Sequence, residues 1–153
     1  MSMKNLKISA LFLLMGSFAI NAQTLKSPDG KFELNFQLKS GVPFYHLKYQ
    51  GRTVVEDSKL GLRLLRDGDI QFASEIERKD QKGKDLNNGF EKTSEKFDSK
   101  NESWSPIMGE KKSYVNHYNE LAVTLNQPEN DRYMVVKFRL FNDGLGFRYE
   151  FPE

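Results

Sequence analysis

Apolar residues recur at every second position along much of this chain, and that period decides what its segments can become. Phe32, Leu34, Phe36 and Leu38 alternate with Lys31, Glu33, Asn35 and Gln37. In an extended segment this puts one set on a buried face and the other in water. Tyr45, Leu47 and Tyr49 repeat the pattern, as do Leu60, Leu62 and Leu64. Met134, Val136, Phe138 and Leu140 alternate with Val135, Lys137, Arg139 and Phe141, and Phe147, Tyr149 and Phe151 close the series. Each run is predicted to be a strand. Between them stand Pro28-Asp29-Gly30, Ser40-Gly41, Gln50-Gly51, Asp67-Gly68-Asp69 and Asn142-Asp143-Gly144, residues that reverse the chain or accept positive φ. Past the first two dozen residues no stretch shows apolar residues at three-and-four spacing over a normal helical length. Short strands with frequent turns predict an all-β fold, an antiparallel β-sandwich.

Two stretches depart from this period. At the start, Lys4 and Lys7 precede an almost wholly apolar run from Ile8 to Ile20, and the small residue Ala22 follows. That order is expected of a signal peptide over residues 1–22, with export and cleavage before Gln23. The run is broken by Ser9, Gly16 and Ser17, so it falls short of the roughly 20 apolar residues a membrane span needs. The second stretch, Lys79 to Asn101, is rich in Lys, Asp, Asn and Gly. It is expected to be a solvated loop with one short strand near Phe90 to Phe97.

Charge and composition narrow the partners. Of the 23 Lys and Arg, two lie in the leader, so 21 remain against 21 Asp and Glu. A balanced chain offers no basic stripe for phosphate, so nucleic acid is not expected, nor is a membrane once the leader is gone. The absence of cysteine excludes disulfides, thiolate metal sites and a cysteine nucleophile. With 12 Phe and 6 Tyr the chain has enough large apolar side chains for a core.

Two segments carry candidate chemistry. Trp104 to Glu110 sets the only Trp beside a Pro-broken turn followed by Gly and Glu. Aromatic faces and carboxylates suit sugar rings and hydroxyls, although a rim Trp beside a tight loop reads the same way. In Asn116 to Leu125, strand geometry puts His117 and Asn119 on the side of Leu121, Val123 and Leu125, with Tyr118 and Glu120 opposite. His117 and Glu120 therefore do not converge on a metal. Glu110 and Glu120 are the one carboxylate pair in a suggestive setting, but sequence does not fix the separation that glycoside cleavage requires. The candidates for substrate binding or for docking another domain are Trp104, Glu110, Asn116, His117, Tyr118, Asn119 and Glu120.

Trp104 to Glu110, Asn116 to Leu125, and the block RLFNDGLGFRYEFP from Arg139 to Pro152 together resemble the opening domain of glycoside hydrolase family 97. The similarity runs from Gln23 to Glu153. It implies an exported α-glucosidase or α-galactosidase in three parts: an N-terminal β-sandwich (a super-sandwich), a catalytic (β/α) barrel, and a small C-terminal β-domain. Residues 23–153 would be an incomplete first part. The catalytic carboxylates, and calcium as cofactor of the full-length enzyme, would belong mainly to the barrel, so the resemblance places no catalytic residue, metal ligand or cofactor here. It also implies a periplasmic or outer-membrane-associated enzyme acting on oligosaccharides through the barrel. The rival reading is a free-standing secreted carbohydrate-binding module. Ending beside an edge-seeking strand, the chain is expected to leave Phe and Tyr exposed.

Overall fold

The computed structural model describes residues 23–64, 85–108, 110 and 112–152. The predicted leader, the Asp67-Gly68-Asp69 turn and the first part of the Lys79 to Asn101 stretch lie outside these. Eight strands form two four-stranded antiparallel sheets, each in strict chain order. The first holds β1 (Gln23–Lys26), β2 (Phe32–Lys39), β3 (Val42–Tyr49) and β4 (Arg52–Lys59). The second holds β5 (Glu91–Trp104), β6 (Tyr114–Gln127), β7 (Arg132–Phe141) and β8 (Leu145–Glu150). A 3-10 turn, Pro128–Asn130, joins β6 to β7. The predicted all-β antiparallel sandwich is the fold observed.

Alternation accounts for the core. On β7, Met134, Val136, Phe138 and Leu140 are completely buried, and Leu121, Val123 and Leu125 of β6 lie beside them. Leu34 and Phe36 of β2 face them across the gap, and the Phe36 and Phe138 rings stand 6.1 Å apart. Each such side chain contributes about 1.5–3 kcal/mol by leaving water. The β2–β3 and β3–β4 hairpins close through two left-handed residues each, Ser40-Gly41 and Gln50-Gly51, whose twist matches that of paired strands. Gly41 has a second reason to lack a side chain: Phe90 N–H donates to its carbonyl at 2.9 Å, and a Cβ there would lie 3.1 Å from the Gly89 nitrogen.

The structure corrects two expectations. Leu60, Leu62 and Leu64 are not a strand: Leu60 follows β4, Leu62 makes one isolated bridge to Leu86, and Leu64 is exposed. The strand before them is β4, an edge whose residues are nearly all exposed, so no apolar alternation marks it. The stretch through Asn101 is not a loop with a short strand. From Glu91 onward it is the 14-residue β5, also an edge, with every residue exposed. Charged residues on both edges oppose pairing with other chains. The short β1 was not anticipated either.

Polar side chains close the ends of the sandwich. The Gln127 amide, buried at the end of the inner face of β6, donates to the carbonyls of Asp85 and Asn88 at 3.0 and 2.9 Å. It accepts from Asn130 Nδ2 at 3.0 Å. These bonds seat the segment that carries the buried Leu86 and Phe90. Asp29 organises the β1–β2 turn, accepting from the Ser27 hydroxyl at 2.7 Å and the Lys31 N–H at 3.1 Å. Its own N–H donates to Asn142 Oδ1 at 2.9 Å, tying that turn to the β7–β8 turn of the other sheet.

Gln127→Ala would leave two carbonyls without their donor, and a loss of about 1–3 kcal/mol is expected from urea denaturation. The Ser27 hydroxyl, followed by the Lys31 amide and ammonium, holds the Asp29 carboxyl at about 2, below its ordinary 3.8. A depressed carboxyl stabilises the fold fully above the unfolded value and loses that contribution as pH falls through the folded one. The melting-temperature gap between wild type and Asp29→Asn is therefore expected at about pH 5 and should close towards about pH 2.

Candidate functional site

The β5–β6 pair outruns the rest of its sheet. β7 stops pairing with β6 at Tyr118↔Phe141, whereas β5 continues to Trp104↔Tyr114. Four residues of each strand thus project as a two-stranded ribbon, about 13 Å at strand rise. Its sequence permits this because Asn101 to Trp104 and Tyr114 to His117 contribute no residue to the buried core.

Directly paired residues share a face, so one side of the ribbon carries Trp104, Glu102 and Lys100 from β5 and Tyr114, Asn116 and Tyr118 from β6. The Trp104 and Tyr114 rings stack, with centroids 5.0 Å apart and planes at 18°. Asn116 Nδ2 donates to Glu102 Oε1 at 2.9 Å, and Lys100 Nζ meets the same oxygen at 2.9 Å. Lys100, then Asn116, keeps the Glu102 carboxyl below its ordinary range, and Glu102 raises Lys100 in turn.

Lower on the same face, the Arg139 guanidinium lies 4.6 Å from the Tyr118 ring centroid while its Nε donates to Glu120 Oε2 at 2.7 Å. The Glu120 contact, ahead of all other influences, raises the Arg139 pKa. Tyr118 is directed away from the core as expected. It is nevertheless buried, because Arg139 and the Phe141 ring at 5.2 Å cover it. Tyr118, Glu120 and Arg139 line an open depression of about 360 Å³ with Asp98, Ser99 and Lys100.

On the opposite face, Asn119 Nδ2 donates to the Lys26 carbonyl of β1 at 2.8 Å, the bond that a polar group continuing an apolar face needs. His117, on that same face, lines an open cleft with Val115, Phe141, Asn142 and Asp143. Of the seven sequence candidates, the fold gathers Trp104, Asn116, Tyr118 and Glu120 on one side of β5 and β6 and sets His117 and Asn119 on the other. Glu110 lies exposed in the connecting segment. Sequence reasoning missed Lys100, Glu102, Tyr114 and Arg139. Counting back by twos from Trp104 finds the first two, but only once β5 is known to be a strand.

Among the described residues no three His, Asp or Glu side chains converge as a cation site. Arg139→Ala removes an ion pair and a cation–π contact at once. A loss of about 1 kcal/mol is expected in urea denaturation, with Glu120→Gln costing less because the guanidinium still covers Tyr118.

Comparison with known proteins adds family context. A Glycoside Hydrolase Family 97 enzyme from Pseudoalteromonas sp. strain K8, solved as a variant with panose and also with acarbose, superposes with a TM-score of 0.69 at 29% identity. The match covers 86% of this chain and 18% of that one, so this chain spans about a fifth of the relative's length. A beta-arabinopyranosidase shares the fold, with a TM-score of 0.66 at 23% identity over 86% of this chain and 18% of its own. The sequence model of the glycosyl-hydrolase 97 N-terminal family matches residues 25–153, and the chain belongs to that family.

Proposed function

We propose that this chain is the packing and carbohydrate-contacting domain of an exported α-glycosidase, an α-glucosidase or α-galactosidase acting on oligosaccharides. In this reading hydrolysis belongs to a separate catalytic barrel, with calcium bound there. The observation that carries it is the end of the ribbon. Ile107 and Met108, in the segment after β5, are 104% and 89% exposed, and Val115 of β6 is exposed within the ribbon itself. Exposed apolar side chains on a projecting arm mark a surface that another domain covers. The ligands of the solved relative, panose and acarbose, are α-linked oligosaccharides, which supports α-glycosidic chemistry for the whole polypeptide. The leader pattern in residues 1–22 supports export.

Sequencing the locus beyond Glu153 and assaying its product tests the proposal. The reading frame is expected to continue into a barrel domain, and its exported product, beginning at Gln23, to release glucose or galactose from p-nitrophenyl α-glycosides. The 153-residue chain alone is expected to release neither. A stop codon directly after Glu153, with a folded secreted product, would sink this reading. It would favour a free-standing carbohydrate-binding module, to which the exposed Trp104 and Tyr114 pair is suited.

A further inference from the structure

We infer that the outer face of the ribbon is a sugar-binding subsite, in which Trp104, braced by Tyr114, stacks on a pyranose ring while Glu102 accepts hydrogen bonds from its hydroxyls. The inference rests on the proposed function for its ligand class, and its geometry stands on three observations. First, Tyr114 covers one face of the indole, and β5 is the edge of its sheet, so among the described residues no strand lies beyond the other face. Trp104 is 54% exposed. Such bracing fixes the ring before a ligand arrives, which lowers the ordering cost of binding.

Second, Glu102 sits two residues from Trp104 on the same face, about 7 Å along the strand, within reach of the hydroxyl rim of a ring resting on the indole. The bonds from Asn116 and Lys100 both fall on Oε1. A carboxylate oxygen accepts more than one hydrogen bond, so the group has capacity for a ligand hydroxyl, and the lowered pKa keeps it ionised. Charge-assisted acceptors of this kind bind hydroxyls more strongly than neutral ones.

Third, the chemistry around the indole is unlike that of a protein-packing patch. Its same-face neighbours on the paired strands, after Tyr114, are Glu102 and Asn116, then Lys100 and the Arg139-covered Tyr118, whereas the apolar Ile107 and Met108 lie in the segment beyond β5. A pyranose presents a C–H face ringed by hydroxyls, and this surface presents the complement.

Trp104 is the only tryptophan, so its fluorescence reports this site alone. Titration of the 153-residue chain with maltotriose is expected to give a saturable emission change, with half-saturation on the order of 1 mM. Sorbitol, which has no ring face, should give none. Tyr114→Ala and Glu102→Gln, both on the exposed ribbon, should keep the wild-type circular dichroism and weaken maltotriose binding by about five- to tenfold. The inference is overturned by the absence of a saturable change, by an equal response to sorbitol, or by both variants titrating as wild type. It also fails if Trp104 ignores maltotriose but becomes shielded from quencher in a longer polypeptide, which would make this face a domain contact. None of these failures touches the assay of α-glycosidase activity, which tests the parent reading separately.

Discussion

Every other feature of this domain depends on the apolar contact between the inner faces of two sheets, centred where Phe36 meets Phe138. Neither sheet is viable alone. A four-stranded meander with one greasy face must cover it, and here the cover is the other meander. Tyr45 extends the contact sideways, with its ring 6.1 Å from Phe138 and 5.8 Å from Phe147. The aromatic seam thus passes from the buried β7 to the edge strand β8, where Phe147 is partly exposed.

Apolar contact has no direction, so polar groups set the alignment of the sheets. Asn119 reaches from β6 to the Lys26 carbonyl, Asn142 accepts from the Asp29 amide, and Tyr149 accepts from Gly61 N–H at 3.0 Å. Each bond joins elements from opposite layers. They hold the β5–β6 pair in a fixed relation to the first sheet, and that relation aims the ribbon away from the body.

How much of this was legible in the sequence follows from which faces are buried. β2, β3 and β7 announce themselves because one face is dry and the other wet, and the two left-handed turns of the first sheet carry the residues such turns require. β4 and β5 are silent because edge strands with little to bury need not alternate. Leu60 and Leu62 misled for the opposite reason: their burial comes from an irregular segment packed with Leu86, not from a sheet. The same logic governs the site. Alternation alone placed His117 and Asn119 with the core and Tyr118 and Glu120 opposite. The burial of Tyr118 depends on Arg139, and the anchoring of Glu102 depends on Asn116. Those partnerships are set by strand register, which one sequence does not disclose.

The sequential strand order bears on how the molecule assembles. Every pairing joins neighbours along the chain, so each meander can grow hairpin by hairpin with short loop closures. Long-range association is needed only once, when the two halves dock. The rate-limiting search in folding should then be for the meeting of two preformed surfaces, with the hairpins themselves in place early.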